Sequence, residues 1–146
     1  MDAITYIVPT PVCAAGSLPI SGFWYSDDLL HWTMMGEVVP EDEFPGLVPF
    51  APEVVYENGW FYMYTSPHGL GHCVLRSDSP LGPFRKITPN IGHAIDFSIF
   101  IDDDGAWYAY WADDRGILGC RMVSPTEFGT PQYIGAYLHG WTEGPF

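Results

Sequence analysis

A repeat of about 46 residues is the feature that most constrains the fold of this chain. The segment APEVVYENGWFYMYTS (51–66) aligns with FSIFIDDDGAWYAYWA (97–112), and each has an alternating apolar run, a polar turn and an aromatic run. Alternation with a period of two is typical of a half-buried β-strand. Asn58-Gly59 and Asp104-Gly105 end the two turns, and such pairs favour the positive φ angles of a type I′ turn. Each copy is therefore predicted to be a β-hairpin.

Further strand-like segments follow each hairpin. They lie at 72–79, 84–88, 116–124 and 131–138, and no amphipathic helical pattern of useful length occurs. A four-stranded unit of about 46 residues is typical of a β-propeller blade. We therefore predict an all-β fold, a partial β-propeller of about two and a half to three four-stranded blades in one domain, 1–146. The predicted units are a blade lacking its first strand (1–45), two blades (46–91 and 92–139) and the start of another (140–146).

Composition limits the partners that this chain can bind. The formal net charge of −13 opposes binding to nucleic acid or to an anionic membrane. It fits a neutral or basic ligand, or simply a solvated acidic surface. No signal peptide and no run of about 20 apolar residues is visible, so the compartment stays open.

Cysteine and histidine spacing gives no indication of a metal site. Cys13, Cys73 and Cys120 form no CxxC pair, and the five histidines show no HxxxH or HxH spacing. We expect no metal, no cofactor and buried cysteines, with a disulfide not favoured. The acidic run at 102–104 is predicted to be a solvated hairpin turn rather than a calcium loop, because it lacks the spacing of an EF-hand.

The repeat also predicts which carboxylates converge on the propeller axis, since the first strand of each blade starts there. Asp96 lies eight residues before Asp104, the same offset in the preceding copy gives Phe50, and one period further on is Glu143. Asp96 and Glu143 are therefore predicted to face one axial cavity, with Phe50 and Trp141 as substrate-binding walls. The alternatives are an exposed Glu143 and an Asp96 that only caps a turn.

Several segments resemble successive motifs of glycoside hydrolase family 43, whose five-bladed propellers include β-xylosidases, α-arabinofuranosidases and arabinanases. They are SDDLLHW (26–32), FAPEVVYENGWFYMYTS (50–66), RSDSPLGPF (76–84), AIDFSIFIDDDGAWYAYW (94–111) and TEGPF (142–146). The motifs occur in the family's order and cover nearly the whole chain.

The resemblance implies catalytic roles for two carboxylates. Family members are inverting hydrolases, and their general acid matches Glu143, while the carboxylate that orients this acid and modulates its pKa matches Asp96. The family's general base, an Asp on the first blade's inner strand, has no match in this sequence. One departure is local: the family usually has Pro after the modulating Asp, where this chain has Phe97.

Several functions remain open on the sequence. The first is a fragment or truncated form of an inverting hydrolase of xylosides or arabinosides in plant polysaccharides, weak or inactive alone because the base is missing. The second is a non-catalytic carbohydrate-binding or self-assembling repeat protein. A related propeller clan acting on fructans or other sugars is the third. A blade without its first strand also predicts self-association through the open edge.

Overall fold

The computed structural model describes residues 5–7, 22–93, 95–113 and 116–135. These residues form twelve β-strands and one 3-10 turn at Glu41–Glu43. The strands are β1 (Thr5–Ile7), β2 (Gly22–Ser26), β3 (Thr33–Glu37), β4 (Pro49–Glu57), β5 (Trp60–Pro67), β6 (Cys73–Ser77), β7 (Arg85–Lys86), β8 (Ile95–Ile101), β9 (Trp107–Asp113), β10 (Gly116–Ser124), β11 (Glu127–Phe128) and β12 (Gln132–Tyr133). The described residues include no helix long and apolar enough to cross a membrane.

The strands form three antiparallel sheets in chain order. The first has the order β1-β2-β3, the second β4-β5-β6-β7 and the third β8-β9-β10-β11, with β12 also paired to β10. Small antiparallel sheets in which each strand pairs with the next in sequence are typical of propeller blades. The prediction of an all-β, partial β-propeller is confirmed. Trp141, Glu143 and the segment 140–146 lie outside the described residues.

The two aligned hairpins have different turns. Asn58 and Gly59 have φ angles of 51° and 86°, and they join paired residues Glu57 and Trp60, as the predicted type I′ turn requires. The turn at 102–106 is longer, with Gly105 alone at positive φ (80°). The type I′ prediction for Asp104-Gly105 is therefore wrong.

Hydrogen bonds define the longer turn. The Asp102 amide donates to the Ala106 carbonyl at 2.8 Å, and the Gly105 amide donates to the Asp102 carbonyl at 2.8 Å. This pattern fits a three-residue hairpin loop whose last position is left-handed, for which glycine is preferred. Residues 102–104 are exposed, so the prediction of a solvated acidic turn is confirmed.

The apolar core consists of two clusters. One packs Val38, Val39 and Phe44, which lead into the second sheet, against residues of that sheet such as Met63 and Leu75. The other joins the second and third sheets. Its buried members include Tyr64, Val74, Phe97, Trp111 and Met122.

Tryptophan and cysteine side chains differ in whether they are buried in this core. Trp111 is 1% exposed and belongs to the core between the second and third sheets, whereas Trp60 lies at the surface beneath Arg76. Cys73 and Cys120 are buried free thiols, as predicted.

Candidate active site

A β-bulge near the start of β8 contains the candidate carboxylate Asp96. The register between β8 and β9 shifts by one residue between Ile95 and Ser98, and Asp96 lies inside this bulge with a φ of 62°. Asp adopts left-handed backbone more readily than most residues do. Bulges of this kind redirect a side chain away from the regular strand pattern. The fold thus gives Asp96 a specialised backbone position.

The same bulge occurs near the start of β4, in the preceding blade. The register between β4 and β5 shifts between Phe50 and Glu53, and Ala51 has a φ of 41°. Ala51 is therefore the structural counterpart of Asp96. The sequence prediction that Phe50 is equivalent to Asp96 is wrong by one residue, because the longer turn after β8 changes the distance from bulge to turn.

The residue after each bulged position differs in chemistry. Pro52 follows Ala51, and Phe97 follows Asp96. Proline has no amide hydrogen, whereas the Phe97 amide donates a hydrogen bond to Nε2 of His72 at 3.3 Å. Phe97, which replaces the family's usual proline, therefore contributes a hydrogen bond that proline could not make.

His72 is fully buried directly against this bulge. Its ring stacks on Phe97 with centroids 3.8 Å apart and planes at 15°. Burial, with a smaller contribution from the charge of His93, lowers the pKa of His72 to about 3. The imidazole is neutral near pH 7, and since Nε2 accepts the Phe97 amide, Nδ1 carries the proton.

Glu53, which the sequence left unassigned, holds the next outward amide of β8. Its Oε1 accepts a hydrogen bond from the Ile99 amide at 2.8 Å. Burial raises the pKa of Glu53, while hydrogen bonds from the Ile99 amide and the Ser98 hydroxyl oppose that rise. No local sequence pattern could have identified this contact, because it joins positions 46 residues apart on different sheets.

Phe50 precedes the β4 bulge and has both a ring and a backbone contact. It is half-buried, and its ring stacks on His68 with centroids 5.2 Å apart and planes at 23°. The Thr65 hydroxyl donates to the Phe50 carbonyl at 2.7 Å. The structure thus places Phe50 directly before the bulge of β4 and Asp96 inside the corresponding bulge of β8. Trp141 and Glu143, the other two predicted site residues, lie outside the described part of the chain.

Among the described residues, no group of three or more His, Cys, Asp or Glu side chains is arranged to hold a metal ion.

The three successive antiparallel sheets define the chain as part of a β-propeller protein, and Asp96 lies in a bulge of the first strand of one blade. Its sequence matches the model of glycosyl hydrolases family 43 over residues 5–145. The chain therefore belongs to glycosyl hydrolase family 43. No curated protein gives a significant match to it.

Solved structures of glycosidases are similar to the chain. An α-L-arabinofuranosidase from Clostridium thermocellum is 27% identical with a TM-score of 0.69, over 88% of this chain and 51% of that one. An endo-1,4-β-xylanase from Bacteroides thetaiotaomicron is 33% identical with a TM-score of 0.62, over 70% of this chain and 38% of that one.

A third structure supports the fold alone. It is a β-xylosidase/α-arabinofuranosidase from a compost microbial metagenome, in complex with xylotriose, at 20% identity and a TM-score of 0.74, over 92% of this chain and 56% of that one. The chain thus spans between about a third and just over a half of the length of these structures.

Proposed function

We propose that this chain forms part of an inverting glycosidase that acts on xylosides or arabinosides of plant polysaccharides. Asp96 would orient the general acid and modulate its pKa, and Glu143 would be that acid. The observation that supports this most is the position of Asp96, in a bulge with φ 62° near the start of the first strand of its blade. Membership of the family gives the reaction type, hydrolysis of a glycosidic bond.

The proposed chemistry needs the two carboxylates to share one cavity. The acid must be protonated when it meets the leaving oxygen, and a neighbouring anionic carboxylate keeps it so by like-charge repulsion. Inversion also needs a base that activates water on the opposite face of the sugar, about 6.5–9.5 Å from the acid. These 146 residues contain no match to the family's base, so the complete reaction requires an Asp from outside them.

Phe50 and Trp141 are proposed as the walls that contact the sugar. Aromatic rings present an apolar face on which a pyranose or furanose ring packs. Stacking on His68 fixes the Phe50 ring beside the bulge of β4. The pentose specificity is inferred from relatives described as an arabinofuranosidase and a xylanase.

Sugar binding tests this proposal without requiring turnover. We expect xylotriose or an arabino-oligosaccharide to bind the chain in calorimetry, and Phe50→Ala to weaken binding by about tenfold, since one stacked ring contributes roughly 1 kcal/mol or more. Tyr56→Ala is the matched control, because Tyr56 is an exposed aromatic at the far end of the same strand. Absence of binding, or equal losses in both variants, would contradict the proposed cavity.

The blade boundaries are proposed as the sequence predicts them, in one domain over 1–146. The three sheets lie within 1–45, 46–91 and 92–139, and the remaining segment, 140–146, would begin another blade. This assignment supports placing Asp96 and Glu143 at corresponding positions in successive blades.

A second candidate function is a non-catalytic carbohydrate-binding or self-associating propeller unit. Within the described residues β1 pairs with β2 alone, and an edge strand of this kind presents backbone groups to which another strand can pair. We propose that self-association uses this edge, with 140–146 of a second copy as the added strand. Light scattering on the chain with and without residues 140–146 tests it, and a monomer in both forms would contradict it.

A further inference from the structure

The outward edge of β8 is covered by side chains from the preceding blade. β8 is the terminal strand of its sheet, so every second amide of this strand points away from β9. Two such alternate amides, those of Phe97 and Ile99, donate to Nε2 of His72 and to Oε1 of Glu53. Both acceptors belong to the second blade and both donors to the third.

These two hydrogen bonds lie on either side of Ser98, directly after the bulged Asp96. On the edge of β8 that faces away from β9, the Phe97 and Ile99 amides are therefore held by one imidazole and one carboxylate, while Ser98 and Ile99 pair with β9 in register on the other edge. An Asp at positive φ keeps that conformation only when its surroundings over-determine it. The His72 ring meets this requirement doubly, because it also stacks on Phe97 at 3.8 Å.

We propose that His72 and Glu53 are positioning residues of the candidate active site, which hold the Asp96 bulge through the Phe97 and Ile99 amides. This inference rests on the proposed function, since it assigns the site's pKa-modulating carboxylate two supports. It also gives a reason for Phe97 in place of the family's usual proline, because a proline here would leave Nε2 of His72 without its donor.

If His72 and Glu53 position Asp96, their variants should keep the fold but displace the Asp96 carboxyl. A purely stabilising role would lower stability without displacing it. Glu53→Ala removes the acceptor, and Glu53→Gln keeps an oxygen acceptor of the same reach. His72→Ala and His72→Gln form the corresponding pair. Leu75→Ala is the control, because Leu75 is fully buried in the other core cluster, which includes no residue of β8. This substitution should destabilise the chain without removing a contact to β8.

The experiment is NMR of the folded chain. We expect Glu53→Ala to accelerate hydrogen exchange of the Ile99 amide by about tenfold, and His72→Ala that of the Phe97 amide, beyond any change in Leu75→Ala. The pH titration of the Asp96 carboxyl should differ from wild type in both alanine variants. It should match wild type in both glutamine variants and in Leu75→Ala. An Asp96 titration equal to wild type in both alanine variants would overturn the proposal.

A measurement on the unmodified chain covers the case in which an alanine variant does not fold. The Ile99 amide proton should move in step with ionisation of the Glu53 carboxyl, because it donates to that carboxylate. If the chemical shift of the Ile99 amide proton does not change as Glu53 ionises, the proposed role of Glu53 is overturned. Failure of the proposed function is a separate result: the Asp96 titration responds as expected, but Asp96→Asn leaves the titration of Glu143 unchanged.

Discussion

The amide of Phe97 and the imidazole of His72 are joined across a blade boundary by a hydrogen bond of 3.3 Å and by ring stacking. This contact brings a titratable group of the second blade against the residue that follows Asp96. Protonation of the His72 imidazole is therefore coupled to the stability of the bulge. Protonation of Glu53 likewise weakens the hydrogen bond that it accepts from the Ile99 amide, but here burial favours the protonated form of the group.

His72 should make the fold sensitive to mild acid. Its pKa is about 3 when folded and about 6.5 when unfolded, so the unfolded state binds more protons between these values. Stability should fall as the pH drops below about 6.5, by about 2 kcal/mol at pH 5. Urea denaturation at pH 7 and pH 5 measures this loss.

The comparison with glutamine isolates the contribution of His72. His72→Gln keeps an acceptor but does not titrate, so its stability should change less between the two pH values. The control is His31→Gln, at an exposed histidine. Equal pH dependence in wild type and His72→Gln would contradict the assignment.

Glu53 should act in the opposite direction. Burial raises its pKa in the folded state, so the folded chain binds more protons than the unfolded chain above the ordinary pKa of glutamate. Stability is therefore lost as the pH rises through the raised pKa. We expect Glu53→Gln to be at least as stable as wild type at pH 7 and to lose that advantage near pH 4.

Thermal denaturation across this pH range checks the Glu53 prediction. Glu57→Gln, at the hairpin end of the same strand, is the control. A Glu53→Gln variant that is less stable than wild type at pH 7 would show that the ionised carboxylate, despite its burial, contributes net stability through Ile99.

Gly119 should not tolerate a side chain. It faces Tyr110 across the β9–β10 pair, and a Cβ at this position would lie 2.6 Å from Cδ1 of the Tyr110 ring. We expect Gly119→Ala to destabilise the fold by about 1–3 kcal/mol. In the double variant with Tyr110→Ala the effects should be non-additive, since removing the ring relieves the clash. Additive effects in the denaturation cycle would argue against this packing.

The sequence predicted the parts of this fold that local patterns encode. Alternation and Asn58-Gly59 gave the first hairpin, because strand period and turn chemistry are local properties. The equivalence of Phe50 and Asp96 was wrong, since it counted from turns whose lengths differ. The bulges of β4 and β8 are the better reference points.

The contacts of Glu53 and His72 with the candidate site could not be predicted from the sequence, for another reason. Glu53 and His72 meet amides of β8 through contacts between sheets, and side-chain-to-backbone pairs of this kind leave no periodic trace. The placement of Asp96 in the site, which resemblance and periodicity together indicate, stays a prediction. Its backbone conformation was not predicted, because positive φ in an Asp has no sequence pattern of its own.

Turnover by the 146-residue chain alone is the last prediction. In the proposed assignment Glu143 is the acid and Asp96 its modulator, and the family's base has no match among the residues of this sequence. A general base contributes about 10²–10⁴-fold to the rate of such a reaction. We expect the chain to hydrolyse aryl β-xylosides and α-arabinofuranosides slower than a complete family member by at least that factor. The measurement is release of the aryl group by the purified chain and by its Glu143→Gln variant. Turnover comparable to a complete member, abolished in Glu143→Gln, would show that a base is present within these residues and would refute the proposed division of the catalytic carboxylates.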